Sequence, residues 1–159
     1  MSNEIQLKTT INGIEYDLTV PARLLASDFL RDNLNLTGTH VGCEHGICGS
    51  CTIKIDGLTA RSCLKFAVQL DGKKVETVES FKEKPETRNI LEKFKAHHSL
   101  QCGFCTPGFL MIIDELLKSK IKFSENEIRE ALSGNLCRCT GYENIIKAAK
   151  EILAQKVIK

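Results

Sequence analysis

The chain opens on short β-type runs punctuated by turn residues and closes on helical repeats. Residues 5–10 and 14–20 predict two strands, joined by Asn12-Gly13, a strong hairpin signal. Pro21 stops the second. Leu24, Leu25, Phe29 and Leu30 then recur at helical spacing, with Asp28 and Arg31 on the opposite side. Residues 51–55 and 58–63 predict a second hairpin around Asp56-Gly57, and residues 75–78 alternate and close the sheet. Two hairpins with one helix packed across them make a small α+β domain, residues 1–79.

Residues 80–88, SFKEKPETR, are charged, contain Pro85 and lack an apolar period, so they predict a surface linker. The remainder is all-α, giving a second domain over residues 80–159. Ile90, Leu91 and Phe94 share one face of a helix over residues 89–97. Thr106 is the expected N-cap of the next helix, with Pro107 at its first position and an end near Lys120. Ser124 and Glu127 form a capping-box pattern, and Gly134 stops the helix they open. The last helix is expected over residues 141–156, burying Ile145, Ile146, Ala149 and Ile152. A weak repeat of helix, cysteine pair and helix (Cys102 and Cys105, then Cys137 and Cys139) predicts two hairpins packed face to face. Their cysteines would meet at one end of a four-helix bundle.

Composition narrows the function more than the fold. With 42% apolar and 26% charged residues, the chain of 159 is globular. Its 22 basic and 20 acidic residues give a net charge of +2, so no field points to nucleic acid or an anionic membrane surface. Residues 1–7 show no basic segment leading into an apolar run and no twin arginine. No stretch reaches the roughly 18 apolar residues of a membrane helix. These features predict a cytoplasmic protein. In a reducing compartment, 8 cysteines suggest metal ligands rather than disulfides.

The cysteines form two quartets. Cys43-x4-Cys48-x2-Cys51 followed by Cys63 has the plant-type [2Fe–2S] spacing. Three thiolates on one loop must converge on a small cluster while backbone N–H groups turn toward the sulfurs. Gly42, Gly46, Gly49 and Ser50 remove side chains that would obstruct this. The fourth thiolate arrives from a neighbouring strand. Zinc knuckles more often show two C-x2-C pairs. Cys102-x2-Cys105 and Cys137-x-Cys139 are less specific, and on spacing alone tetrahedral zinc competes for them. Each pair precedes a predicted helix, whose positive end would stabilise an anionic cluster. Arg138 would add to that, or is simply solvated.

The remaining polar residues suggest no chemistry. His40, His45, His97 and His98 read as loop or surface residues, because the cysteines already complete both sites. Glu125, Glu127 and Glu130 solvate a helix face. Arg61 and Arg138 are too few for a phosphate site, and no phosphate-binding glycine motif or catalytic triad spacing is present.

The flanking residues carry a resemblance. Residues 39–52, THVGCEHGICGSCT, with Arg61-Ser62-Cys63, resemble the N-terminal cluster segment of small subunits of molybdenum hydroxylases, the xanthine dehydrogenase family. Residues 101–108, QCGFCTPG, and 134–142, GNLCRCTGY, are similar to its C-terminal cluster motifs. Residues 36–40 and 62–69 are similar to carbon monoxide dehydrogenase-type small subunits. Ser50 and Phe109 depart from the commoner alanine and methionine without touching a cysteine. The resemblance implies a β-grasp, plant-ferredoxin-like domain followed by a four-helix bundle. It implies two [2Fe–2S] clusters, on Cys43, Cys48, Cys51 and Cys63 and on Cys102, Cys105, Cys137 and Cys139. It implies a large subunit with a molybdenum–pterin cofactor (molybdopterin) and a medium subunit with FAD, in a heterotrimer or a dimer of heterotrimers. Electrons would pass from molybdenum through the helical-domain cluster and the ferredoxin-like cluster to FAD. Gln101 and Cys139 would lie beside the pterin, and this chain would hold no catalytic residue.

Overall fold

The computed structural model describes residues 3–119 and 121–154. Two strands, β1 (Glu4–Ile11) and β2 (Ile14–Pro21), pair antiparallel around Asn12 and Gly13, both at positive φ. A short helix α1 (Ala26–Asp28) runs into a wider turn over Phe29–Asn33 and buries Phe29 and Leu30 completely. Strands β3 (Thr52–Ile55) and β4 (Leu58–Arg61) form the second hairpin, and Cys63 follows in a one-turn helix, Ser62–Leu64. The last strand, β5 (Lys74–Glu76), has only three residues.

β5, within the segment expected to close the sheet, does so from its centre. The order is β2-β1-β5-β3-β4, with β5 parallel to β1 and antiparallel to β3. The sheet is therefore mixed. Val75 on β5 is 1% exposed and packs with Leu7, Ile11, Phe29, Leu30 and Ile53 in one core.

Four longer helices share the second core: α2 (Pro85–Ala96), α3 (Thr106–Lys118), α4 (Glu125–Leu132) and α5 (Glu143–Ala154). The expected linker is largely structured. Phe81 is fully buried in the helical core, and α2 begins at Pro85, with the Thr87 hydroxyl donating to the carbonyls of Phe81 and Lys84. Thr106 is the first helical residue of α3 rather than its cap; Cys105 takes the cap position. The Ser124–Glu127 capping box opens α4 as expected. The expected helical positions beyond Ala154, and Lys120, lie outside the described residues.

The halves are docked through a buried ionic cluster. Lys54 of β3 pairs with Asp114 of α3, and the two side chains are 1% and 0% exposed. Lys54 also meets Glu76 at 2.9 Å, and Lys118 reaches Asp114 at 2.9 Å. Burial pushes the Glu76 carboxyl up, but the ammonium of Lys54, backed by Lys84 and Lys118, outweighs it and holds the group at about 2, below the ordinary 4.5. In the unfolded chain Glu76 returns to its ordinary value. Its stabilising effect is thus complete above about pH 4.5 and lost as pH falls toward about 2. Denaturation midpoints measured across that window should fall more steeply for the wild type than for Glu76→Gln; parallel curves would show that Glu76 does not contribute.

Candidate metal centres

The first quartet occupies the loop between the turn after α1 and β3, with Cys63 just past β4. The loop curls because Glu44, Gly46 and Gly49 all take positive φ. Glu44 does so without being glycine. The curl aims backbone N–H groups inward: the Cys48 amide donates to Cys43 Sγ at 3.4 Å. The backbone N–H groups of Cys48 and His45, with that of Ile47, hold the Cys43 thiol down at about 6. Three amides converging on one sulfur make an anion-binding nest. Cys51 and Cys63 are buried, with their sulfurs 3.3 Å apart. Burial pushes Cys63 up to about 11, assisted by the Cys51 thiol beside it.

The second quartet joins the segment before α3 to the segment before α5. Cys102 and Cys139 are exposed, with sulfurs 3.4 Å apart. Cys105 and Cys137 are buried and within hydrogen-bonding reach of each other. Burial pushes Cys105 up to about 12, with the Cys137 thiol adding to it. Burial also raises Cys137, but the Thr140 hydroxyl at 3.0 Å and the Thr140 amide at 3.4 Å more than offset that. Cys105 caps α3, so the positive end of that helix does face the site. The other helix end does not: α5 begins only at Glu143, and the turn through Thr140 replaces it. The Tyr142 hydroxyl accepts from the Cys137 amide at 2.9 Å and shapes that turn. Arg138 and Gln101 are exposed.

The donor set fits iron–sulfur chemistry. Among the described residues no three His, Cys, Asp or Glu side chains converge as a site for one ion. The cysteines come together instead as two-sulfur bites. Contacts of 3.3 and 3.4 Å approach the ~3.8 Å edge of a tetrahedral site with metal–sulfur bonds of about 2.3 Å. A binuclear cluster takes two thiolates on each iron, so two bites per quartet suit it.

Several residues to which the sequence assigned no part in either site hold the quartets together. Arg61 donates to the Thr52 hydroxyl in its own half and, at 2.8 Å, to the Gly134 carbonyl in the other. His40 stacks on Phe104, ring centroids 4.8 Å apart, and meets its carbonyl. The Leu136 amide donates to the Cys48 carbonyl at 2.9 Å, linking one quartet's loop to the other's. His97 pairs with Glu151, and Glu125 pairs with Arg129 and Lys150, all away from the cysteines. No described helix is long and apolar enough to cross a membrane.

Comparison with known proteins agrees with this chemistry. Residues 77–150 match the family described as a [2Fe-2S] binding domain, and residues 32–99 match the 2Fe-2S iron-sulfur cluster binding domain. The chain is 51% identical to caffeine dehydrogenase subunit gamma of Pseudomonas sp. (strain CBB1), covering 96% of this chain and 92% of that protein. It is 37% identical to the xanthine dehydrogenase iron-sulfur-binding subunit of Escherichia coli O157:H7, covering 91% and 92%. Among solved structures it is similar to quinoline 2-oxidoreductase from Pseudomonas putida 86, with a TM-score of 0.89 and 46% identity over 96% of this chain and 95% of that one. Relatives of this identity, matched over nearly their whole length, establish the chain as an iron–sulfur electron-transfer subunit of an oxidoreductase in the xanthine dehydrogenase family of molybdenum hydroxylases.

Proposed function

We propose that this chain carries two [2Fe–2S] clusters and relays electrons from a molybdopterin site to FAD. One cluster is held by Cys43, Cys48, Cys51 and Cys63, the other by Cys102, Cys105, Cys137 and Cys139. The observation that carries this is the pairing within each quartet. Cys51 with Cys63 and Cys105 with Cys137 are buried pairs, while Cys43 with Cys48 and Cys102 with Cys139 reach toward the surface. A relay needs one side of each centre near a partner and the other side insulated, and this burial pattern supplies both. The domains are read as a β-grasp ferredoxin-like unit over residues 1–79 and a four-helix bundle over residues 80–159. The two separate cores support that division.

The partners are a large subunit with molybdopterin and a medium subunit with FAD, in a heterotrimer or a dimer of heterotrimers. Gln101 and Cys139, both exposed, face the pterin; the exposed residues Glu44, His45 and Ile47 face the flavin-binding partner. Exposed apolar side chains flank both places, Leu100 and Phe104 at one and Ile47 and Leu64 at the other, as docking surfaces require. When bound, the clusters supply one-electron storage at each centre. The chain contributes thiolates, amide donors to Cys43 and exclusion of water from the buried pairs. Eight cysteines given to metal rather than to disulfides suit a reducing cytoplasm.

The test is the metal content and spectrum of the purified chain. About four iron and four sulfide per chain, with two distinct paramagnetic signals on reduction, are expected. Iron near two per chain, or zinc in a colourless protein, would refute the reading. Cys48→Ser should abolish one signal and leave the other, since each quartet lies on its own side of the interface.

A further inference from the structure

The turn between Cys137 and α5 is strained, and its hydrogen bonds close on one cysteine. Gly141 and Tyr142 follow one another at φ of +64° and +68°. A bulky aromatic residue rarely takes that left-handed conformation, and a glycine in its place would make the same reversal freely. The Tyr142 hydroxyl, however, accepts from the Cys137 amide at 2.9 Å, which a glycine could not do. The Tyr142 amide donates to the Thr140 hydroxyl at 3.2 Å. Thr140 completes the ring: its hydroxyl lies 3.0 Å from Cys137 Sγ, and its amide donates to the same sulfur at 3.4 Å. A cysteine that ligates metal is a thiolate with no proton to give, so the hydroxyl is the donor. The Tyr142 amide already occupies one lone pair of that oxygen, which turns the hydroxyl proton toward the sulfur. Threonines in turns ordinarily bond to nearby backbone. Here the strained turn aims the hydroxyl at a ligand sulfur instead.

We propose that the Thr140 hydroxyl, through its hydrogen bond to Cys137 Sγ, raises the reduction potential of the centre held by Cys102, Cys105, Cys137 and Cys139. Thr140 acts through Cys137 and is a positioning residue. The proposal rests on the two-cluster reading above. Reduction adds negative charge that the ligand sulfurs share, so a donor on one of them stabilises the reduced form more than the oxidised form. Hydrogen bonds to the sulfurs are among the levers that set such potentials. The lever is strong at Cys137 because that residue is only 8% exposed, where water competes little and the local dielectric is low. Thr140 keeps its proton throughout. The centre is reduced by one electron supplied from the molybdenum side, and no bond breaks. With the hydroxyl in place, the centre draws that electron more readily.

The test is redox titration of Thr140→Val, Thr140→Ala and Thr140→Ser in the full complex, followed by paramagnetic resonance. Valine keeps the shape and removes the donor, alanine removes the donor without crowding the turn, and serine keeps the donor. The signal that survives Cys48→Ser belongs to the second centre and identifies the potential to follow. In the valine and alanine variants the equilibrium constant for reducing that centre should fall about tenfold, which is about 59 mV for a one-electron couple. Iron content and the other centre's potential should be retained, and Thr140→Ser should titrate with the wild type. An unshifted potential in the valine and alanine variants overturns the proposal. So does an equal shift at both centres, or a serine variant that falls with the valine one, because the hydroxyl would then not be the cause. Loss of the second centre from both the valine and alanine variants also overturns it, because the hydroxyl would then serve assembly. A wild-type complex with only one signal would instead refute the two-cluster reading on which the proposal rests.

Discussion

Replacing Lys54 with methionine is expected to destabilise the protein by about 3–5 kcal/mol, the usual cost of breaking a buried ion pair from one side. Lys54 and Asp114 are 1% and 0% exposed, so water cannot take over the lost interaction. Asp114 Oδ1 already lacks a hydrogen-bond partner, and Asp114 would keep only Lys118, which is 43% exposed. Methionine fills the volume of the lysine stem, so the loss reports charge rather than a cavity. The double variant Lys54→Met with Asp114→Leu should recover most of the stability, because a buried ion pair can often be exchanged for apolar packing at little cost. Urea midpoints of the two variants check this. If the double variant is no more stable than the single one, the cluster is not held by the charge pairing.

Substituting Gly108 by alanine is expected to lower stability by about 1–3 kcal/mol, against the local rule. Gly108 lies in the first turn of α3, where alanine in a free helix would gain nearly 1 kcal/mol. Tertiary structure reverses the sign, because the added Cβ would overlap both Asn135 and the Gly49 carbonyl. A backbone carbonyl cannot swing aside as a long side chain can. Gly49→Ala should cost more. Its Cβ would sit 2.6 Å from the Gly134 carbonyl, and its φ of +75° adds about 1–2 kcal/mol of left-handed strain. Both variants should loosen the docking of the halves, read as lower denaturation midpoints and faster protease cleavage between residues 77 and 85. A Gly108→Ala protein more stable than wild type would show that the interface can give way.

The sequence misleads where a neighbour distant in the chain overrides local pattern. Phe81 is one apolar residue in a charged run, and nothing nearby announces that the helical core accepts it. In the strand Ile53-Lys54-Ile55, alternation puts Lys54 on the wet face, but α3 covers that face and buries it. Asp114 ends the apolar run of α3 beside Glu115, and its buried partner Lys54 lies sixty residues away. β5 has three residues, too few to advertise that both of its edges are paired.

The candidate centres divide the same way. Spacing and glycine placement make the first quartet legible, because three of its cysteines share one loop whose curl is a local property. Flanking residues carry the second quartet, which spacing alone leaves open to zinc. The sequence by itself thus singled out eight cysteines as candidate ligands and pointed to the family the chain belongs to. Only the tertiary structure decided that Cys51 faces Cys63, that Cys102 faces Cys139, and that the amide of Leu136 meets the carbonyl of Cys48. Those are contacts across the docked halves or across the sheet and bundle, and they depend on packing surfaces that no local pattern encodes.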